Sequence, residues 1–581
     1  MQTTQRFYNI KGEKLPDPTL SKPTSQDSST SSTSIERLHS YLTGKDHSLV
    51  FFVGAGASVA GNTGMPSTPA LLQRLLLEAI TFSGAFDDKQ AELAPIIKDA
   101  GSRVGFEITL NDFWQICRQA TALIFEAFAE VEGDCSTNRV HAFLAHWLST
   151  GGTVLTTNYD RLIEREWLKT SQSSKSRYHE EGFKHWQDDL NTGGCLFKIH
   201  GSLDDPESCL GALEHVGTKL TGHRAELLEE IVRTRPLCFV GWRGVDPDIP
   251  PLLEESLWER DPSLPIFWLH YEGYPAGSVS LTTAIEGCSP LIIPYASAAP
   301  ILTDADRAFG EILDWVGIKS MPNPERNALS LDFADAVSHC SHSGVTRIVG
   351  IALRRVGQLD VAADVLDAAI RLAETPEEEA AAIQEMSLLK QQKGGRKTEK
   401  ARALLQKARK ALGNKPDLHL QINIDFGLLS MTIVNLNTRP WLLLRLPGLF
   451  RRYKLDIETL RRETSDKESV ALHESLFHLY LGRLRFKTLG WLAVIIPSLA
   501  DWILSPFNAA YLTIGDAKDI HLHEHIDVLA YRALALAHLH QYEDGWKGVP
   551  EIDRLITILN DRARTLHWNN QRREIEKLCN R

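Results

Sequence analysis

Short apolar runs recur through the first half of the chain, and each breaks into glycine or polar residues at its carboxyl end. They are Leu49–Val53, Thr153-Val154-Leu155, Leu196–Ile199, Leu237–Val240, Ile266–Leu269 and Leu291-Ile292-Ile293. A strand wetted on one face alternates apolar and polar residues; a run that is apolar throughout must be covered on both faces. Helical patterns lie between the runs. That alternation predicts an α/β domain over residues 46–318, a doubly wound parallel sheet with helices on both faces. Ligands bind such sheets beyond the carboxyl ends of the strands, and the polar motifs of this chain sit at those ends.

Past about residue 345 the strand signals fade. Ile351–Asp360 leads into Val361–Ile370 with small residues at helix-contact positions and Gly357-x-x-Asp360 in the turn. Gly357 to Ala363 and Gly395 to Ala401 repeat one spacing, and Leu534–Ile556 reads as a third, degenerate unit. The pattern resembles tetratricopeptide repeats, so residues 346–581 are expected to form an all-α helical-repeat domain for sensing or oligomerisation. A non-repetitive helical domain is the alternative. Residues 1–45 are expected to be a disordered Ser/Thr/Pro/Gln-rich leader followed by a short helix, opened by a capping box at Thr33 and Glu36. Residues 319–345 are expected to be a linker. Leu489–Leu512 is mostly apolar, but Pro497, Asp501 and Pro506 interrupt it. It reads as a buried helix broken by its prolines rather than a membrane span.

Lys and Arg number 63 against 74 Asp and Glu, a net charge of −11. A whole-chain affinity for nucleic acid or anionic membrane is not implied. Eight cysteines are scattered with no CxxC pair, which disfavours a zinc ribbon and suits a reducing, cytoplasmic setting. The amino terminus shows no apolar signal core.

The stretch from Phe51 to Gly64 ("FFVGAGASVAGNTG") is a strand breaking into a glycine loop. A dinucleotide fingerprint needs a third glycine where Val59 stands. A phosphate loop of the triphosphatase type needs a lysine where Asn62 stands. Both readings fail on those residues. A third pattern is G-A-G-x-S followed by G-[IM]-P, and Gly54-Ala55-Gly56-Ala57-Ser58 and Gly64-Met65-Pro66 match it. Three more motifs follow in order: Thr156-Thr157-Asn158-Tyr159-Asp160, Lys198-Ile199-His200-Gly201, and Gly241-Trp242-Arg243-Gly244-Val245-Asp246. Together they resemble the sirtuin family over roughly 46–300, most closely its bacterial, defence-associated branch.

Read as chemistry, the glycines allow close backbone approach to a phosphate. Gly54, Ala55 and Gly56 are expected to present N–H groups to a diphosphate, with Ser58 adding a hydroxyl. Asn158 carries both a donor and an acceptor and can orient a ribose hydroxyl or a water. Asp160 can accept from ribose, cap the following helix, or do both. His200 can act as a base near neutral pH, and Gly201 leaves space beside it. The resemblance implies NAD+ as the bound molecule. It implies Asn158 and His200 as catalytic, and Gly54, Ala55, Gly56, Ser58, Pro66, Thr157, Asp160, Gly241 and Asp246 as NAD-binding. Arg243 departs from the family's usual serine, so its role stays open.

Two departures bear on the reaction. Protein-deacylating sirtuins carry Asp-Phe-Arg after the G-[IM]-P turn, where this chain has Ser67-Thr68-Pro69. They also carry a zinc held by two CxxC pairs, absent here. The implied activity is therefore hydrolysis of the nicotinamide–ribose bond rather than acyl transfer, with no metal. The resemblance further implies antiphage defence by NAD depletion, a resting state that is inhibited, a homo-oligomer, and activation through 346–581 by a phage-derived protein or a partner subunit. A non-hydrolytic NAD or ADP-ribose-binding scaffold is the alternative. A nucleic-acid trigger at the basic segment 390–415 is a further one, less favoured than a solvated helix face. Two histidine clusters, at 339–342 and 521–525, carry only a weak metal-site signal.

Overall fold

The computed structural model describes residues 38–579 except 45–46, 62, 172–174, 214–219, 221, 243–248, 250–251, 254–255, 257–259, 262, 271–297, 303–304, 319–330, 394–396, 413–416, 435, 437–439, 465–466, 494–497, 515–521, 540, 551, 554–555 and 557–561. Seven strands form one sheet: β1 (Val50–Val53), β2 (Thr153–Thr156), β3 (Ser176–Arg177), β4 (Cys195–Lys198), β5 (Leu237–Val240), β6 (Ile266–His270) and β7 (Ala298–Leu302). Their order is β3-β4-β2-β1-β5-β6-β7, and every pairing is parallel. Apart from the two-residue β3, this is the 3-2-1-4-5-6 order of a Rossmann-like sheet. The expected strand at 291–293 lies outside the described residues. The sheet's last strand is instead Ala298–Leu302, a run whose Ala-Ala-Pro opening gives little strand signal.

The apolar runs are continuous because successive side chains enter two different cores. Phe51, Val53, Val154, Leu196, Cys238, Val240 and Phe267 pack on one face against α6 (Arg139–Ser149) and α9 (Ala305–Trp315). Leu38 and Leu42, from the helical stretch 38–43, join that core. Val50, Phe52, Leu155, Phe197, Phe239 and Trp268 pack on the other face against α8 (Gly222–Thr234). The capping box at Thr33 and Glu36 lies outside the described residues.

Between β1 and β2 runs a long helical insert. It comprises α1 (Ala55–Val59), α2 (Thr68–Ser83), α3 (Gln90–Arg103), α4 (Phe106–Ile116) and α5 (Arg118–Asp134), followed by α6. Ser67 starts α2: its hydroxyl accepts Ala70 N–H at 3.4 Å, with Pro69 in the first turn. The Ser67-Thr68-Pro69 departure is thus a helix start. After β2 comes α7 (Leu162–Trp167).

The carboxyl-terminal region is helical: α10 (Ala334–Ser338), α11 (His342–Arg355), α12 (Leu359–Leu372), α13 (Pro376–Gln392), α14 (Lys397–Ala411), α15 (Leu418–Val434), α16 (Leu446–Glu463), α17 (Lys467–Ala493), α18 (Ser498–Thr513), α19 (Leu522–His538), α20 (Tyr542–Lys547) and α21 (Arg562–Cys579). Residues 331–345, expected as a linker, hold α10 and the start of α11. Both pack into one continuous core with α2–α5, running from Met65 to Leu389. A separate core begins at Ala380 and runs through the later helices. Pro506 sits inside α18 rather than breaking it, and Pro497 lies outside the described residues. Among the described residues no helix is long and apolar enough to cross a membrane.

Candidate active site at the carboxyl ends of four strands

Register brings the sequence motifs together. Val53 pairs with Thr156 and with Val240, and Thr156 pairs with Lys198. Four strands therefore end at one level, and Gly54, Thr157, Ile199 and Gly241 each stand one residue beyond it. The parallel pattern carries on past the strands: Thr157 N–H donates to Val53 O at 3.1 Å, and Ile199 N–H to Thr156 O at 2.9 Å. Asn158 and His200 are the next residues on neighbouring strands, 6 % and 5 % exposed.

Asn158 is held on one side only. Its Nδ2 donates to Gly54 O at 3.2 Å and to Ser58 Oγ at 3.0 Å, and its backbone N–H donates to Thr156 Oγ1 at 3.0 Å. Two acceptors fix the amide with its nitrogen toward α1. The opposite atom, Oδ1, is buried with no hydrogen-bond partner among the described residues. An orphaned buried acceptor costs about 1–3 kcal/mol, and a ligand hydroxyl would relieve that cost.

Ser58 is the hub of this arrangement. Its hydroxyl donates to Asp160 Oδ2 at 2.8 Å and faces His141 Nε2 at 3.5 Å. His141 Nδ1 accepts the Asn138 N–H at 3.0 Å, so the ring proton resides on Nε2 and points to Ser58. Burial pushes the His141 pKa down to about 3, which keeps the ring neutral. Asn138 closes the capping box of α6 and also donates from Nδ2 to Ala57 O and Ala60 O, both at 2.8 Å. Asn138 and His141 escaped the sequence reading. Their only signal was Asn-x-x-His ahead of an apolar helix, a variant of the capping box.

Several expectations change. Gly54 N–H donates to Val240 O and Gly56 N–H to Gly241 O, both at 2.9 Å, so neither is available to a diphosphate. These glycines serve close packing: a Cβ on Gly56 would lie 2.6 Å from Gly241 O, and one on Gly54 would lie 2.6 Å from Trp242 Cα. Gly241 itself has φ +62°, where a side chain is strained. Ala55 and Gly56 do face solvent at the amino end of α1. Gly201 makes room for protein rather than ligand, since a Cβ there would lie 2.7 Å from Ser208 and Cys209 backbone atoms.

Asp160 takes the capping role. Oδ1 accepts Leu162 N–H at 3.2 Å while Oδ2 accepts from Ser58. Pro66 is half-buried just before the Ser67 cap, and Thr157 is buried. Arg243 and Asp246 lie outside the described residues, as does Asn62.

Two charged clusters brace the loop after β2. Lys198 is fully buried, and its Nζ donates to Tyr159 O at 3.2 Å, Asp160 O at 2.6 Å and Glu164 Oε1 at 2.9 Å. Burial raises the Glu164 carboxyl above its usual range, and Lys198 opposes the rise. Arg161 and Arg165 both grip Glu132 at the end of α5, at 2.6 and 3.2 Å. Tyr159 inserts its ring against Phe125 of that helix.

The other candidate features resolve locally. In the basic segment 390–415, Lys393 pairs with Asp360 at 2.6 Å, Lys407 with Glu379 at 2.8 Å and Arg409 with Asp425 at 3.3 Å. His339 Nδ1 contacts Asp335 O at 2.9 Å, and His342 stacks on Phe82. Among the described residues no group of three or more potential ligands could hold a metal; His521 lies outside them.

A family model described as a SIR2-like domain matches residues 152–280. The match takes in β2, Asn158, His200, β5 and Gly241, and begins after the glycine loop. No curated protein matches the chain. Among solved structures, the chain is similar to a signal transduction ATPase with numerous domains that bears a tetratricopeptide repeat sensor, from Pyrococcus horikoshii. Identity is 11 %, coverage is 94 % of this chain and 79 % of that one, and the TM-score is 0.27. Residues 152–280 are thus similar to SIR2-like domains, and domains of that kind use NAD+.

Proposed function

We propose that this protein is an NAD+ glycohydrolase that splits the nicotinamide–ribose bond to nicotinamide and ADP-ribose. The observation that carries the reading is the buried Oδ1 of Asn158, which has no hydrogen-bond partner among the described residues, beside His200 at the aligned strand ends. A one-sided amide is suited to accept a hydrogen bond from a ribose hydroxyl or from the attacking water. The glycosidic bond breaks with its electron pair leaving on nicotinamide, and water adds to the ribose carbon and gives up a proton. His200 is the base within the site for that proton or for a ribose hydroxyl. The exposed turn at Ala55 and Gly56 is the diphosphate side, with Ala55 N–H and the amino end of α1 facing it. Ser58 and Asp160 act by holding Asn158 and the loop, and Gly241 by letting α1 seat against β5. Pro66 and Thr157 line the same end of the sheet.

The helical array, residues 346–581, is the sensor in this reading, built of tetratricopeptide-like hairpins. It keeps the enzyme inactive until a phage-derived protein or partner subunit engages it, and the active form is a cytoplasmic homo-oligomer. NAD depletion then aborts infection. Lys393, Lys407 and Arg409 of 390–415 are paired with carboxylates of the array, which lessens the charge that segment offers a nucleic acid.

The test is to express the full chain with and without phage challenge and follow cellular NAD+ and nicotinamide. Wild type should lose NAD+ on challenge, and Asn158→Ala and His200→Ala should not. NAD+ or ADP-ribose binding by purified protein, with no nicotinamide released under any challenge, would instead establish a non-hydrolytic scaffold.

A further inference from the structure

The turn that leads into α16 and the helix itself have two unlike faces. Pro440–Arg445 is a 3-10 turn that runs straight on into α16. Leu442, Leu446, Leu449, Tyr453, Ile457 and Leu460 recur at helical spacing and are buried in the array core. Leu444, Arg451, Arg452 and Leu455 recur on the opposite side and are exposed. A surface helix ordinarily turns a polar face of mixed charge to water. This one does not.

Trp441, Leu443, Leu444 and Leu455 are 60, 42, 86 and 56 % exposed. A lone exposed leucine is ordinary, but four large apolar side chains on one stretch form a patch. The same stretch is cationic. Arg445, Arg451, Arg452 and Lys454 are all exposed, and no Asp or Glu occurs between Asp425 and Asp456. Those two carboxylates are themselves buried. Asp425 lies 4.0 Å from Arg452 and is already engaged by Arg409 at 3.3 Å. The first exposed carboxylate further along the helix is Glu458, 3.9 Å from Lys454. The exposed aromatic residues of α18 differ: Arg485 and Arg532 lie over the Trp502 and Tyr511 rings at 4.0 and 5.1 Å.

We propose that the outer face of residues 440–455 is a peripheral docking surface for an anionic lipid bilayer. Charge complementarity selects the occupant, since the face carries cations and no carboxylate. Apart from Trp441, its exposed side chains are aliphatic or cationic, the two kinds of group that a headgroup boundary takes up. Leu444 and its apolar neighbours enter the boundary between headgroups and acyl chains. The arginine and lysine stems cover apolar surface while their charged ends reach lipid phosphates. The face lies on the bilayer rather than in it, because the other side of α16 is committed to the array core. The whole chain carries −11, so the attraction is local, and it fades beyond a Debye length of about 8–10 Å. The proposal does not depend on the NAD chemistry.

The experiment sediments the full chain with vesicles of phosphatidylcholine alone and of phosphatidylcholine mixed with phosphatidylglycerol, at low and high salt. The chain should bind the mixed vesicles, leave the neutral ones, and come off as salt rises. Arg445→Gln with Arg451→Gln should weaken binding roughly 30-fold. Leu444→Asp should abolish it. These side chains are exposed, so each variant should keep the wild-type unfolding midpoint, which separates loss of the face from loss of the fold. Binding that is absent, equal on neutral and anionic vesicles, or unchanged in both variants would overturn the proposal. Capture of a synthetic acidic amphipathic peptide, with no vesicle binding, would also overturn it and make the face a protein-docking site.

Discussion

Two loops leave neighbouring strands at the same level and use their polar groups in opposite ways. The loop after β1 spends its glycine N–H groups on the end of β5, at Val240 O and Gly241 O. The loop after β2 carries Asn158, whose Nδ2 is satisfied by Gly54 O and Ser58 Oγ beyond β1 while its Oδ1 is buried with no hydrogen-bond partner among the described residues. The glycine loop looks like the ligand site in the sequence, yet its geometry makes it chiefly a joint between two strands. The asparagine loop looks like a helix cap, yet it holds the polar atom that a ligand would satisfy. The difference lies in neighbours rather than in residue type: β5 stands beside β1 with carbonyls to fill, and among the described residues no donor reaches Asn158 Oδ1.

The comparison is broken most forcefully at Lys198. Lys198→Met should destabilise the protein by about 3–5 kcal/mol in urea unfolding, because Glu164 is left buried without its cation. Lys198→Met with Glu164→Leu should recover only part of that loss, since the Tyr159 and Asp160 carbonyls lose their donor. Full recovery in the double variant would mean that Lys198 does not brace the asparagine loop.

Asn158→Ala should lower nicotinamide release on the order of 10²–10³-fold, with folding little changed and the effect mainly in kcat. An unchanged kcat with a raised KM would make Asn158 a binding group only. Gly241→Ala should act on the glycine joint and cost about 1–3 kcal/mol of stability, from its positive φ and the overlap with Ala57. A normal unfolding midpoint for this variant would show that the joint has slack.

Taken per pH unit, the smallest effect is in pH dependence. His141 is held near 3 in the folded protein by burial, against about 6.5 when unfolded. Between those values the unfolded chain binds the extra proton, so stability rises with pH. The contribution is complete above about pH 6.5 and is lost as pH falls toward 3, at no more than about 1.4 kcal/mol per pH unit. His141→Gln should flatten that slope in unfolding measured across the window and keep a donor for Ser58. His141→Leu should flatten it equally and, by freeing Ser58, also lower turnover.

Much of this was legible in the residues. Apolar runs such as Phe51–Val53 and Leu237–Val240 announced strands covered on both faces, because only two cores explain an unbroken run. The order of motifs then pointed to Asn158 and His200. Other features were not legible because their signal is not local. Ala298–Leu302 joins the sheet by pairing with β6 despite weak strand propensity. His141 matters through a contact with Ser58 from far along the chain. Asp160 could cap a helix or touch a ligand on sequence grounds, and the Ser58 hydroxyl together with the α7 amino end engages both of its oxygens.

The sequence by itself determined the parallel sheet, the row of polar strand ends and the change to helices past residue 345, because apolar periodicity is a local and redundant signal. Only the tertiary structure decided which donors are consumed, which acceptor is left over, and where the first array helices dock. Those depend on register and on which donors and carbonyls face each other, and no pattern along a single strand or helix encodes that.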